Sequence, residues 1–583
     1  MTTLASLHRA VETGWYRAAI VALLLIFVIL SSSSASRKSA TYDETAYLGT
    51  GAYILKLHRF DDVAIVRHPV FWTVWHDLPL LVISKIPNSL WQEDDAVLRG
   101  QKIIALRKDD LLLNACRFML LPFGVILGLL VFHWSRELYG ISGGLMSLTV
   151  YCFCPNILAH APLITPDMTF SFFVVLTTWR LWKLAKKDSI RNLVWAGASL
   201  GLMLLSKHTG LLAGLILLIT DVVYRSADNQ INWRSWRRIW RGLRRWPILI
   251  AMAALVVWAA YGFQVAPVSW PSGTQTWVPA APYVQGAIIQ YQQSRQPHSF
   301  FLMGRNSSSG WWYYFIVVCL IKIPVSVLLL LGGLVLGRRW LGSRFSVNEV
   351  FLAVPFGLLF LYLSCFNTIQ NGFRYLLPVY PLLITMLGSY GPAVHRSLAA
   401  RISSGLLILW LVIGSLVAWP NYISYFNELI GGSRQGYHWL GDSNIDWGQD
   451  LKELRSFMGD RGIDRIQLSY FGTADPAHYE VNYEYLPSSN SPLQPTPPLP
   501  DGQKPARFLA ISAYDYQGIG FDEKKEENVY RFLYDYVPND IVGRSILIFD
   551  TTALKPRTRP PLPFLLRQFV GLERRNAPLN LYP

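Results

Sequence analysis

The chain has 583 residues, of which 52% are hydrophobic and only 15% charged, with a formal net charge of +16 and a mean hydropathy of +0.27. An ordinary soluble domain carries about 25% charged residues, so these figures exclude a disordered chain, a collagen-like chain and a small disulfide scaffold. A nucleic-acid binder is excluded too, because the positive charge falls where a membrane protein carries it. Cys116, Cys152, Cys154, Cys319 and Cys365 all sit in apolar runs, which fits buried thiols rather than a disulfide framework.

A helix that crosses a bilayer needs about 20 mostly apolar residues. Runs of that kind lie near 16–34, 112–134, 141–160, 167–185, 192–206, 209–224, 246–264, 311–336, 348–365, 374–391 and 403–420, about eleven by hydropathy. The runs 192–206 and 209–224 are short and also read as a re-entrant pair. The first run follows Arg9 and Arg17 and precedes a stretch of small residues, as in a cleaved signal peptide; the further runs favour its retention as a span. With a cytosolic N-terminus, the turns at 183–191, 225–245, 338–344 and 396–401 hold 16 basic residues against Asp188 and Asp228. That is the excess the positive-inside rule expects on the cytosolic side. The Trp- and Arg-rich segment 233–241 then reads as a loop at headgroup level, not a nucleic-acid contact.

On this topology the loops 35–111 and 265–310 and the tail share the opposite, extracytoplasmic face. Two units are expected: 1–420 as the transmembrane domain and 421–583 as a small α/β domain. Within the tail, Gly448–Phe457 is helix-like, and Arg465–Phe471, Arg507–Ala513 and Ile541–Phe549 are strand-like. The Pro-rich stretch Ser488–Pro505 reads as an exposed loop.

The acidic pair Asp43–Glu44 closely follows the first run. Arg67-His68-Pro69 opens an aromatic segment, Val70–Ile86, whose His76, Asp77 and Pro79 suit a helix lying in the interface rather than across it. An acid, a cation and an interfacial helix are what a lipid-linked substrate requires. Asp167, beside Pro166, opens the fourth run at the outer side, where Pro and Asp also favour a helix first turn. Lys322 is near the middle of its run, and an unpaired Lys there costs about 2.5–3.5 kcal/mol, so it faces a cavity, a partner or water. Arg374 opens the tenth run and reads either as a snorkelling cation or as a phosphate clamp. Gly441–Asp450 is dense in polar side chains, with Asn444 and Asp446 as helix caps or sugar contacts. No G-x-x-x-x-G-K-[ST], H-E-x-x-H or C-x-x-C motif occurs, so ATP-driven transport and zinc hydrolysis have no motif behind them.

These motifs, in this order, resemble bacterial members of glycosyltransferase family 39, relatives of the protein O-mannosyltransferases and the lipid A aminoarabinose transferases. The resemblance is carried by Asp43–Glu44, Arg67-His68-Pro69, Pro155–His160 with Thr165-Pro166-Asp167, Gly310–Phe315 with Lys322-Ile323-Pro324, Arg374–Pro381 and Asp442–Asp450. The chain departs from the family at His68-Pro69-Val70 and at Thr165-Pro166-Asp167, and no β-trefoil module is evident. The resemblance implies a GT-C-type polytopic α-helical membrane protein of the bacterial inner membrane, with its active face periplasmic and a C-terminal small α/β extracytoplasmic domain. It further implies a polyprenyl-phosphate-linked sugar donor, a hydroxyl-bearing acceptor, and one-step inversion with Asp43 as general base. Glu44 and Asp167 would shape the acidic pocket, and Arg67, His68, Lys322, Arg374, Asn444 and Asp446 would contact substrate. No cofactor is implied. A transporter of the same lipid-linked sugar is the first alternative. The second is a metal-dependent oligosaccharide transferase with a divalent ion on Asp43, Glu44 and Asp167.

Overall fold

A computed structural model describes residues 2–57, 60, 68–83, 85–227, 233–296, 298–336, 345–488, 503–523, 527–559 and 561. Arg67 and the greater part of the Pro-rich stretch lie outside the described residues. The chain is an integral membrane protein, predominantly helical. Among the described residues, five helical segments have the length and apolar composition to cross a bilayer: Gly14–Ser36, Leu111–Cys152, Ile239–Ala260, Val347–Cys365 and Leu398–Ala418. A bent pair, Tyr314–Lys322 with Val325–Leu336, passes the same test as a unit.

Several of the expected spans are interrupted, each for a local reason. Leu111–Cys152 is no such case: it contains a break at Gly140, whose φ of 83° is in the left-handed region that glycine tolerates, where the sequence puts the turn between the runs 112–134 and 141–160. Across that break the chain doubles back: the Tyr151 hydroxyl donates to the Gly124 carbonyl at 2.7 Å, and Ser135 and Ser147 share a 2.9 Å hydrogen bond. The run 311–336 is not one rod, because its halves meet at 114°. Pro324 cannot donate into the helix and pushes Ile323 to an extended conformation, so Lys322 sits at a corner rather than mid-span. The run 374–391 is divided into Phe373–Tyr375, Tyr380–Leu387 and the start of Tyr390–Arg396.

The expected interfacial segment forms the helix Val70–Ile83, but His76 and Asp77 are fully buried. Asp77 Oδ2 accepts from the N–H groups of Gly49, Gly51 and Ala52 at 2.8–3.2 Å, which caps the start of helix Thr50–Leu57. Of the cysteines, Cys365 is exposed, contrary to the expectation of uniformly buried thiols; it lies at the end of an apolar helix.

The tail carries a mixed five-stranded sheet in the order Tyr483–Tyr485, Ile466–Ser469, Phe508–Ser512, Ile546–Asp550, Asp540–Val542. The first three strands of that order run parallel and the last two pairings are antiparallel. The single strand expected at Ile541–Phe549 is two, because Gly543 and Arg544 both adopt positive φ and turn the chain between them. The expected helix is observed as Leu451–Asp460. Packing does not pause at residue 420: one hydrophobic core joins Leu387 to Trp447 and Phe549, and a second joins Ile103 and Leu112 to Leu451 and Ile466.

One buried ion pair holds the C-terminal end of the first helix in place. Arg117 and Glu44, both without solvent exposure, meet at 2.6 Å. Arg117 also donates to the carbonyls of Ala35, Lys38 and Ser39 at 2.7–3.0 Å, so it satisfies the orphan acceptors where the first helix ends. Glu44 in turn accepts from the N–H groups of Thr41 and Ile164 at 2.8 and 3.0 Å. Burial pushes the Glu44 carboxyl up, but Arg117 and these N–H donors outweigh it and hold the group below its ordinary range. The pair's stabilisation is therefore present above the unfolded carboxyl's range and is lost as pH falls through the folded value. Glu44→Gln strands a buried guanidinium, so it is expected to destabilise the protein by about 3–5 kcal/mol at neutral pH. Thermal melts of the protein in nanodiscs check this, and the gap to wild type should narrow in acid.

Candidate active site

Asp43 is adjacent to Glu44, and the pair that fixes Glu44 sets Asp43 at the wall of a cavity of about 780 Å³. Arg374 lines the same cavity, and its guanidinium donates to Asp43 Oδ2 at 3.1 Å. Arg374 also stacks over the Trp447 ring, 4.6 Å from its centroid. Asp442, Lys207 and His68 line the same cavity. Lys207 Nζ reaches the buried Asp167 at 2.7 Å, and His68 Nε2 is 3.0 Å from the Tyr47 hydroxyl. The lining also includes Leu211, Ile216 and Leu217 of helix Gly210–Ser226 and Leu359 and Leu363 of helix Val350–Cys365.

Asn444, Asp446 and Lys322, expected to touch substrate, are buried and lie outside the cavity lining. They hold the residues that do line it. Asn444 Oδ1 accepts from Phe373 N–H at 3.2 Å, at the head of the Phe373–Tyr375 turn that carries Arg374. Gly372 makes that approach feasible: its φ is +86°, and a Cβ there would fall 2.0 Å from the Asn444 amide. Lys322 Nζ donates to the carbonyls of Asn444 and Ile423 at 2.8 and 3.0 Å. Asp446 accepts from Gly448 N–H and Tyr514 N–H, each at 3.2 Å, and from the Ser512 hydroxyl, which ties the loop to the sheet. Burial raises the Asp446 carboxyl to about 7.

The same loop pairs with the turn that bears Asp43. Tyr42 N–H donates to the Trp447 carbonyl at 2.7 Å and Ser39 N–H to that of Gln449 at 2.9 Å. Lys38 joins in from the end of the first helix, meeting Asp450 at 2.6 Å and Glu453 at 2.5 Å. Asp442–Asp450 is therefore a junction between the end of the first helix, the Asp43 turn and the sheet, a role wider than helix capping.

Glu44 points into its pair with Arg117 and does not line the cavity, so Asp43, Glu44 and Asp167 do not converge as one ligand set. Among the described residues no group of three or more His, Cys, Asp or Glu side chains is arranged to hold a metal ion. Sequence reading passed over Lys207 and Asp442. Lys207 had a signal, being a cation in a turn that the expected topology puts on the extracytoplasmic side, where the charge rule disfavours one. Asp442 had little: it adopts a left-handed φ of 54°, which only the folded loop imposes.

Because Lys322 satisfies two buried carbonyls outside the cavity, Lys322→Met is expected to cost about 1–3 kcal/mol of stability. Melting in nanodiscs checks it, and a variant as stable as wild type removes Lys322 from this supporting role.

Residues 109–261 match the family described as dolichyl-phosphate-mannose-protein mannosyltransferase. No curated protein matches the chain. Among solved structures, ArnT from Cupriavidus metallidurans bound to undecaprenyl phosphate is 11% identical, with a TM-score of 0.43 over 92% of this chain and 98% of that one. The apo form of the same protein is 11% identical, with a TM-score of 0.44 over 94% and 100%. The Archaeoglobus fulgidus oligosaccharyltransferase tethered with an acceptor peptide is 11% identical, with a TM-score of 0.43 over 70% of this chain and 54% of that one. The family match over 109–261 bears out the resemblance to glycosyltransferase family 39 read from the sequence, and with it the reading of the chain as a membrane glycosyltransferase.

Proposed function

We propose that the protein moves a sugar from a polyprenyl-phosphate carrier to a hydroxyl acceptor at the extracytoplasmic face of a bacterial cytoplasmic membrane, with inversion and with Asp43 as general base. The observation that carries this reading is the Asp43–Arg374 pair, a carboxylate and a guanidinium 3.1 Å apart in the lining of a cavity that also carries aliphatic side chains from helices Gly210–Ser226 and Val350–Cys365. A lipid phosphate combines the same two characters, with its chain along the aliphatic helices and its charge at Arg374.

In the reaction the acceptor oxygen attacks the anomeric carbon, the carbon–oxygen bond to phosphate breaks, and the hydroxyl proton passes to Asp43. The leaving phosphate gains one negative charge as Asp43 loses one. Arg374 already faces Asp43, so its attraction transfers to the phosphate without the guanidinium having to travel. Preorganised cations of this kind act on charge as it develops, and the planar fork of Arg374 suits two phosphate oxygens. Lys207 adds a second positive centre, held in position by Asp167.

Asp43→Asn keeps the volume and an acceptor for Arg374 but removes the base, so transfer is expected to fall by at least about a hundredfold, far more than any loss of folded protein seen in a thermal melt. The measurement compares lipid and glycan extracts from cells expressing wild type and the variant. A product at wild-type level takes Asp43 out of the mechanism. Movement of the lipid-linked sugar across liposomes with no new glycosidic bond identifies a transporter instead. Arg374→Ala is expected to lose more than tenfold in turnover, and Arg374→Lys should recover only part of it, because a point charge lacks the paired donors.

A further inference from the structure

We infer that the two-stranded ribbon 265–279 is seated in the interfacial zone of the bilayer, with the face that bears Val265, Pro267 and Trp277 turned into lipid; this is independent of what the cavity binds. Strands Val265–Ser269 and Gln275–Pro279 pair antiparallel, with Val265 opposite Pro279, Pro267 opposite Trp277 and Ser269 opposite Gln275. Side chains alternate between the two faces of a strand, so these residues share one face, and Ala266, Val268, Thr276 and Val278 share the other. The second face is turned to the protein. Strand Val265–Ser269 packs against helix Ala281–Ser294, Val268 is fully buried, and Ser269 N–H donates to Gln285 Oε1 at 3.0 Å. The first face is open: Trp277 is 73% exposed and Val265 47%, with Pro267 and Pro279 exposed beside them. A contiguous apolar surface of this kind marks a binding or membrane-contact face.

The place of the ribbon in the chain says what covers that face. It begins where a span ends, since Ile239–Ala260 has the length and apolar composition to cross a bilayer. Gly262 and Phe263 follow with φ of 66° and 56°, and these left-handed residues turn the chain sharply at the end of the span. The turn is clamped to the last helical turn: Trp258 Nε1–H donates to the Gln264 carbonyl at 2.9 Å, and the Trp258 and Phe263 rings are 5.4 Å apart. The Gln264 carbonyl also accepts from Ala280 N–H at 3.1 Å, so both ends of the ribbon are fastened at the same level. Tyr261 ties in a second element there, because its hydroxyl accepts from Val70 N–H at 3.3 Å. That bond starts helix Val70–Ile83 at the span's end, and its Leu81 and Val82 are exposed as well.

Composition separates lipid from a protein partner. No Asp, Glu, Lys or Arg occurs between Arg245 and Arg295, a stretch that includes most of the span, the ribbon and the helix behind it. Charges resist entry into a bilayer, whereas Trp is favoured at headgroup level. A protein partner is steered and held in register by complementary charge, and this stretch offers none. Helix Ala281–Ser294 contributes Ala287, Gln290 and Gln293 to the cavity lining. A ribbon seated in lipid therefore fixes part of that lining at the bilayer surface.

The experiment places a nitroxide spin label at Trp277→Cys and, separately, at Val265→Cys, in the full chain carrying Cys319→Ala and Cys365→Ser, in nanodiscs of phosphatidylcholine and phosphatidylglycerol. Asp464→Cys, exposed on the tail, is the water-facing reference. Power-saturation EPR compares collisions with oxygen, which partitions into lipid, and with a nickel chelate, which stays in water. The expected result is oxygen favoured over nickel at both ribbon positions, with a depth of about 5–10 Å into the headgroup–acyl boundary. Nickel accessibility equal to that of the reference puts the face in water and overturns the inference. Labels shielded from both reagents mean that protein covers the face, a second copy or another part of the chain, and overturn it equally. The two positions report independently, so a label that prevents folding at one leaves the other to decide.

Discussion

The Arg117–Glu44 pair is the constraint on which the rest of the site depends. Two charges without solvent exposure are costly to bury, and here the cost is offset by saturation of their hydrogen-bonding capacity. Arg117 closes the end of the first helix through the carbonyls of Ala35, Lys38 and Ser39. Glu44 accepts from Thr41 on its own turn and from Ile164 on the segment that leads into Asp167. Three remote stretches are thereby fixed to one another within a few ångströms. Asp43 and Asp167 inherit their positions from it, since each is only a few residues from an atom the pair engages.

The loop Asp442–Asp450 completes the arrangement from the other side. Its carbonyls accept backbone hydrogen bonds from the Asp43 turn, and it supports the Arg374 turn through Asn444 and rests on the sheet through Asp446. Trp447 of the same loop lies under the Arg374 guanidinium. The tail is thus part of the candidate site: its sheet supports the loop that holds the turn bearing Arg374. Asp43 and Arg374 are separated by 331 positions in the chain, and the turns that carry them are held together by sharing one loop.

Of the residues singled out by composition and motif, some reach the cavity and some stand behind it. Asp43, His68 and Arg374 line it, and Asp167 touches it through Lys207. Glu44, Lys322, Asn444 and Asp446 are buried supports. Polar residues in an apolar context announce a site, because burying them without purpose is expensive. That argument does not separate the group that meets substrate from the group that holds it, since both carry the same signature of burial and charge. Lys207 escaped notice because a single cation between two short helices looks like an ordinary turn. Its significance comes from Asp167, 40 positions away.

Hydrophobic run length and the distribution of Lys and Arg determined, from sequence alone, that the chain is a helical membrane protein with a polar face and a small mixed tail. These are local or summed quantities, and the bilayer reads them directly. The order of short motifs likewise determined the family resemblance. Only the tertiary structure decided that Lys322 marks a corner, that Ile541–Phe549 is a hairpin, and that the second acid of the pair is a tether while the first faces the cavity. Each of these depends on which distant atom fills a side chain's hydrogen bonds, a property of the packed chain that no window of neighbouring residues contains.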